Sequence, residues 1–246
     1  MNTLFTGQVL IKLAQTDSTN KFASELLAGN RVFEGTVITS NQQTSGRGQR
    51  GQAWNSEKGK NLTFSTIFKP GFLPIAGQFK LSKSIALATA DFVVLSGVAG
   101  VTLKWPNDVY VHERKIAGIL IENQVKNGQI QYSIVGIGIN INQLTFPEEV
   151  TNATSLKIEA GKEFSLDECL KLMCECLEKR YLELRSGKSP DEEYLSKLFR
   201  FGQWNNYKSN ETIFQGKIIG VSIGGKLIIE TLTEFKQFDI KEVAFL

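Results

Sequence analysis

One stretch constrains the fold more than any other: Val135-Gly136-Ile137-Gly138-Ile139-Asn140-Ile141-Asn142. Side chains along a strand point alternately to opposite faces. Ile137, Ile139 and Ile141 therefore share one face, and Gly136, Gly138, Asn140 and Asn142 the other. The isoleucines require a hydrophobic core. The glycines bare the backbone of the opposite face, which weakens a strand unless something lies against it. Two occupants satisfy that demand: a flat ligand ring, or a bulge or helix packed tightly on the sheet.

The same period of two marks residues 9–13, 35–42, 61–68, 101–111 and 115–125 as strands. His112-Glu113-Arg114 is a short polar turn between two of them, and Asn127-Gly128 is a strong hairpin signal. Helical spacing predicts helices over 75–96, with Leu81, Ile85, Ala88 and Phe92 on one stripe, and over 165–186 and 190–199. An earlier helix runs through 21–29, capped by Ser18 or Thr19 and stopped by Gly29. From Trp204 the texture changes to short strands separated by Gly, Asn and charged turns, as in a small β-barrel or sandwich. The chain is thus expected to divide into a mixed α/β domain over 1–201 and a β module over 202–246.

Composition narrows the chemistry. Hydrophobic residues make up 41% and charged residues 22% of the 246 residues, values of a globular protein with a substantial core. A net charge of +3 is too small to argue for nucleic-acid binding. Three cysteines, Cys169, Cys174 and Cys176, form an odd, clustered set that is no disulfide framework. Reduced thiols fit a cytosolic setting. The start lacks the pattern of a signal peptide, and no apolar run reaches the ~18 to 20 residues of a membrane span. A cytoplasmic protein with no membrane partner is expected. The single histidine, His112, rules out a multi-histidine zinc site and hardly allows a Ser-His-Asp triad. Such a toolkit suits reactions in which ATP supplies the driving force and the protein positions groups and neutralises charge.

Three further stretches carry chemistry. In Gly46-Arg47-Gly48-Gln49-Arg50-Gly51 the glycines let backbone amides approach an anion, and the arginines offer bidentate donors. No GK[ST] follows, so it is not a Walker A loop. The alternative is a flexible loop of solvated arginines. Gln43 and Trp54 flank it, and Trp54 offers a stacking surface for an adenine. In Lys104-Trp105-Pro106-Asn107-Asp108 the proline turns the chain and presents Asn107 and Asp108 at a strand end. A carboxylate beside an amide can hold Mg²⁺ with phosphates; the alternative is an Asx turn. In Lys115-Ile116-Ala117-Gly118-Ile119-Leu120-Ile121-Glu122 a lysine opens an apolar strand. There it needs an anionic partner or snorkels to water.

Together with Thr16-Asp17-Ser18-Thr19-Asn20, which is similar to a conserved S-T-N segment, these stretches resemble biotin–protein ligases in order and spacing, over essentially the whole chain. The resemblance implies an α+β fold: a mixed β-sheet flanked by helices, like class II synthetases and lipoate ligases, with a small C-terminal SH3-like β-barrel. It implies an enzyme that forms biotinyl-5′-AMP from biotin and ATP, with Mg²⁺, and transfers biotin to a lysine of a biotin carboxyl carrier protein or domain. Ser18, Thr19, Asn20 and Gln43 would line the biotin pocket. Gly46, Arg47 and Gly48 would close over biotin and the adenylate, and Lys115 would meet the biotin carboxylate and the α-phosphate. Gly118, Gly136 and Gly138 would give ring and tail access to backbone. Trp54 would lie by the adenine, and Arg47, Arg50, Asn107, Lys115 and Asn140 would bind ATP. Asp108 and Asn140 would face its phosphates or Mg²⁺, and Lys115, Arg47 and Asp108 would carry the chemistry. Bifunctional members place a winged helix before the catalytic core; here the S-T-N segment begins at residue 18, so a monofunctional type without nucleic-acid binding is expected. A homodimer through edge strands is open. The chain departs from the family's G-R-G-R in having Gln49, a neutral amide. The alternatives are a lipoate–protein ligase, whose G-G-G stretch preceded by R-R is absent, and a non-catalytic biotin or nucleotide binder.

Overall fold

The structure is a computed structural model and describes all residues except Met1, Asn30 and Glu149, and the side chain of Arg50. Its larger sheet is built from β1 (Leu10–Leu13), β2 (Thr36–Ser40), β3 (Leu62–Phe68), β4 (Val101–Lys104), β5 (Asp108–Val111), β6 (Arg114–Lys126) and β7 (Gln129–Ile139). Across the sheet the order is β1-β2-β3-β7-β6-β5-β4. β1 and β2 are parallel and every other pair is antiparallel, which makes the sheet mixed. Asn127 and Gly128, at φ 52° and 75°, make the tight turn between β6 and β7 that the Asn-Gly pair favours.

The central strands sort their side chains by parity. Val135, Ile137 and Ile139 of β7 join Phe64 and Phe68 of β3 in the main core, beneath α2 (Gln78–Leu95) and α4 (Leu166–Arg185). Ile134 and Ile67 face the other way, into a smaller cluster with Ala23 of α1 (Thr19–Gly29). Burying each such side chain contributes about 1.5 to 3 kcal/mol, so the sheet's register is set by which residues must be inside. α2, α4 and the short α5 (Asp191–Ser196) are fastened by Arg180, whose guanidinium donates to Asp91 at 2.7 and 3.1 Å and to Glu193 at 2.6 Å. A five-residue helix, α3 (Leu156–Ala160), has Ser155 as its N-cap and left-handed Gly161 at its end; it is too short to show a helical period in the sequence.

The C-terminal strands β8 (Trp204–Ser209), β9 (Thr212–Val221), β10 (Leu227–Thr231), β11 (Phe235–Phe238) and β12 (Ala244–Phe245) form a second, antiparallel sheet of SH3-like kind, ordered β11-β10-β9-β8-β12. Tyr207, Ile218, Leu227 and Ile229 of this sheet belong to the same core cluster as α2 and α4. Trp105 Nε1 also donates to the Gly225 carbonyl at 2.8 Å. The two sheets therefore share a buried boundary, and the site lies along it. Among the described residues no helix is long and apolar enough to cross a membrane.

β7 leaves the ladder at Ile139, earlier than its alternating pattern suggests. Asn140 keeps one backbone bond to β6, from its amide to the Ile116 carbonyl at 2.9 Å, but the side chains of Asn140 and Asn142 are engaged by loops and do not line the cavity. The Asn140 side chain donates to the Thr154 carbonyl at 3.0 Å, and Asn142 donates to the Phe164 carbonyl at 2.8 Å and accepts from the Phe164 amide. Both amides tie loops to the end of the strand.

Candidate active site

Even-numbered positions of β7 face α1, but α1 covers only part of that face. Gly136 sits under Asn20: a Cβ there would stand 2.9 Å from Asn20 Cγ and closer to Oδ1. Gly138 pairs across the ladder with Gly118 of β6. On this bare patch lies the Trp54 indole, within 2.6 Å of where a Gly138 Cβ would be and 3.1 Å of a Gly118 Cβ. The chain's own indole thus rests on the floor that these glycines leave bare. Trp54 ends a tight hairpin in which Gly48 N–H donates to the Gln52 carbonyl at 2.7 Å and Trp54 N–H to the Gly46 carbonyl at 2.9 Å.

Between this patch, the Trp105–Asp108 turn and the C-terminal module is a cavity of about 390 Å³, within the size range of small-molecule sites. At one end lie Ser18, Thr19, Asn20 and Gln43. Gln43 Oε1 accepts from the Thr19 amide at 2.8 Å and the Thr19 hydroxyl at 3.1 Å. The oxygen that caps α1 therefore comes from a residue beyond β2. Ser65 Oγ of β3 donates to Asn20 Oδ1 at 2.6 Å, and Asn20 Nδ2 donates to Glu122 Oε2 at 2.7 Å. Glu122 in turn lies 3.7 Å from Arg47. Ser65 and Glu122 were not singled out in the sequence, because only pairing of β3, β6 and β7 brings them to Asn20.

At the other end Lys115 Nζ lies 2.7 Å from Asp108 Oδ1. Lys115 is held through its backbone: its amide donates to the Asn152 carbonyl at 2.6 Å and its carbonyl accepts from Thr154 at 2.9 Å. The anionic partner that a lysine opening an apolar strand requires is Asp108. Asn107 also lines the cavity, but its side-chain nitrogen donates to the Ile119 carbonyl at 2.9 Å. Lys104 joins the wall, beside Tyr110. Burial pushes the Lys104 ammonium below the usual lysine range and the Tyr110 phenol up to about 12.

Arg47, Gly48, Gly118, Gly136 and Gly138 line the cavity too. Gly46 does not; it borders a neighbouring recess with Ser45 and Asn55, where a Cβ would strike the Trp54 carbonyl. Asn140 is not on the wall either, and acts one step away by anchoring the segment that pins Lys115. The Arg50 side chain lies outside the described residues. Two buried polar atoms on the wall make no hydrogen bond within the described residues, Gln49 Oε1 and Trp54 Nε1, while Asp108 Oδ1 is held by Lys115. Buried polar groups are nearly always satisfied, so these two atoms leave hydrogen-bonding capacity on the wall that a polar ligand or water can take up. Among the described residues no three His, Cys, Asp or Glu side chains cluster as a metal site. Among the described residues Asp108 is the one carboxylate on the wall, a donor set that fits Mg²⁺ only when phosphates supply other ligands.

A sequence profile of the biotin/lipoate A/B protein ligase family matches residues 13–140. The chain belongs to this family. Among its relatives, the bifunctional ligase/repressor BirA of Bacillus spizizenii is 31% identical over 236 residues, covering 94% of this chain and 72% of that protein. The biotin–[acetyl-CoA-carboxylase] ligase of Paracoccus denitrificans is 29% identical, covering 88% and 92%. The biotin protein ligase of Aquifex aeolicus, solved in complex with biotin and ATP, superposes with a TM-score of 0.78 at 30% identity, covering 97% of this chain and 99% of that one. The family profile ends at Asn140, so it takes in the cavity's glycine floor, Trp54, Asp108 and Lys115 but not the C-terminal module that closes the cavity.

Proposed function

We propose that this chain is an ATP-dependent biotin–protein ligase. It joins biotin to ATP as biotinyl-5′-AMP and then transfers biotin to a lysine of a biotin carboxyl carrier protein or domain. The observation that carries the reading is the Lys115–Asp108 pair together with two buried polar atoms that lack a partner, Gln49 Oε1 and Trp54 Nε1, on the wall of one glycine-floored cavity. In the first step a biotin carboxylate oxygen attacks the α-phosphorus and pyrophosphate leaves. Lys115 exchanges Asp108 for the carboxylate and α-phosphate and offsets the charge that accumulates on the phosphoryl oxygens. Arg47 leaves Glu122 to add a second positive charge. Asp108 is the residue that would hold a Mg²⁺ carried in with ATP, and the ion would neutralise phosphate charge. Ser18, Thr19, Asn20 and Gln43 form the neutral, hydrogen-bonding end for the biotin ring, and Trp54 with the 46–54 hairpin keeps water from the mixed anhydride. In the second step the carrier lysine amine attacks the acyl carbon, AMP leaves, and the amine's proton is released. The nucleophile comes from the partner, which suits a chain with a single histidine.

The family description covers both biotin and lipoate, and the loop Gly46-Arg47-Gly48 in place of an R-R…G-G-G signature favours biotin. Pyrophosphate exchange into ATP, run with biotin and separately with lipoate, tests this. Faster exchange with lipoate would overturn the choice of acid, and no exchange with either would overturn the enzyme assignment. Incorporation of biotin into a carrier domain tests the transfer step.

A further inference from the structure

Lys104 ends β4, and its ammonium sits among three aromatic rings. Its Nζ is 4.8 Å from the centroid of Tyr110, 5.8 Å from Phe199 and 5.0 Å from Phe245. It donates one hydrogen bond, to the Tyr110 hydroxyl at 3.2 Å, and that hydroxyl also accepts from Asn152 at 3.1 Å. Among the described residues no carboxylate lies within ion-pair distance of Lys104, and Asp108, its cross-strand neighbour, is engaged by Lys115 at 2.7 Å. Rings attract a cation through their quadrupole without neutralising it. The result is a positive charge on the cavity wall, stripped of much of its water and still available to an anion.

Phe245 is the penultimate residue and comes from the other sheet. β12 places it opposite Tyr207 of β8, against whose ring it packs edge-on at 5.4 Å, and 6.4 Å from Phe199. Phe245 lines the same cavity as Lys104, Asp108 and Lys115. A residue at the end of the C-terminal module thereby completes the surroundings of a cation in the catalytic sheet.

We infer that Phe245 is a positioning residue for the nucleotide: with Tyr110 and Phe199 it cages the Lys104 ammonium, so that this charge meets the polyphosphate of ATP. The inference rests on the ATP-dependent reading of the cavity, but its core claim concerns polyphosphate affinity and can be measured without turnover. Leucine at 245 keeps most of the apolar bulk and removes the quadrupole. Tyrosine restores the ring. A cation–π contact of this kind corresponds to roughly a 3- to 30-fold effect on affinity.

The test is calorimetric binding of inorganic tripolyphosphate to the full chain, with melting temperatures as the folding control, alongside biotin-dependent pyrophosphate exchange. Phe245→Leu is expected to weaken tripolyphosphate binding roughly 3- to 30-fold and to raise the ATP KM while leaving the biotin KM unchanged. Phe245→Tyr should recover wild-type binding. In a Lys104→Met background, Phe245→Leu should have no further effect, because the ring acts only through that ammonium. Phe199→Leu removes another face of the cage and should act in the same direction, which keeps the test open if Phe245→Leu unfolds the module. Wild-type tripolyphosphate affinity in a folded Phe245→Leu or Phe199→Leu chain would overturn the inference, as would additive losses in the double variant. If wild type binds tripolyphosphate with these dependences yet shows no biotin-dependent exchange, the ligase reading fails and the cage stands.

Discussion

Gly138→Ala puts the smallest possible side chain where Trp54 now lies. A Cβ at this position would stand 2.6 Å from Trp54 Cζ2 and Nε1, where ordinary carbon contacts are about 3.5 to 4.0 Å. The backbone cannot yield, because Gly138 is laddered to Thr63 on one side and Gly118 on the other. The indole must therefore withdraw by about 1 Å, and the hairpin it ends must move with it. Overpacking of this kind costs about 1 to 3 kcal/mol. Alanine regains about 0.4 to 1 kcal/mol by restricting the unfolded chain. The net loss lies between about 0 and 2.6 kcal/mol and centres on about 1 kcal/mol, or about 2 to 4 °C in melting temperature at the centre for a chain of this size. Activity should suffer more, since a 1 Å misplacement at a reacting site can cost about 10²-fold. The assay is single-turnover formation of biotinyl-AMP by wild type, Gly138→Ala, Trp54→Ala and the double variant, with thermal melts of all four. Because the strain arises between these two residues, the stability loss from Gly138→Ala should largely vanish in the Trp54→Ala background. A Gly138→Ala chain adenylating within threefold of wild type, or a stability loss that persists without the indole, would refute the argument that Trp54 is seated on this glycine floor.

Lys115→Gln should fold normally, since the pair it breaks with Asp108 is partly exposed and such pairs contribute about 1 kcal/mol or less. It should still lose about 10² to 10³ in adenylation rate, and single-turnover kinetics beside a thermal melt decide it. Asn140→Ala leaves the Thr154 carbonyl without its partner and should destabilise by about 1 to 3 kcal/mol; an ATP KM raised more than about twofold would instead return Asn140 to the phosphates. Lys104→Met should raise the melting temperature at pH 7 while lowering the exchange rate. Burial holds the folded-state pKa of Lys104 below its unfolded value, so the native state carries the full desolvation penalty at neutral pH. That penalty fades as pH rises through the folded pKa towards the ordinary lysine value. The gain from methionine should accordingly shrink in melts run at alkaline pH, and an unchanged gain would show that charge burial is not its source.

Much of the framework was legible in the residues because its causes are local. A period of two in Val135–Ile139, a period near 3.6 in α2 and α4, and an Asn-Gly turn each act over a few residues, so no knowledge of distant chain was needed to place them. Lys115 at the head of an apolar strand was legible as a charge needing either an anionic partner or water, and the structure supplies Asp108. Where β7 would stop was not legible, because Asn140 and Asn142 continue the alternation in sequence while their amides close on Thr154 and Phe164. What lies on the glycine face had no local signature, and only tertiary structure folds the 46–54 hairpin so that Trp54 lies over Gly118 and Gly138. The same holds for Gln43 capping α1, for Glu122 joining Asn20 to Arg47, and for Phe245 reaching Lys104. None of these pairs has a periodic signature, since each joins residues far apart in the chain. Such contacts exist only after burial of the core has set strand order and register and docked the C-terminal module against the sheet.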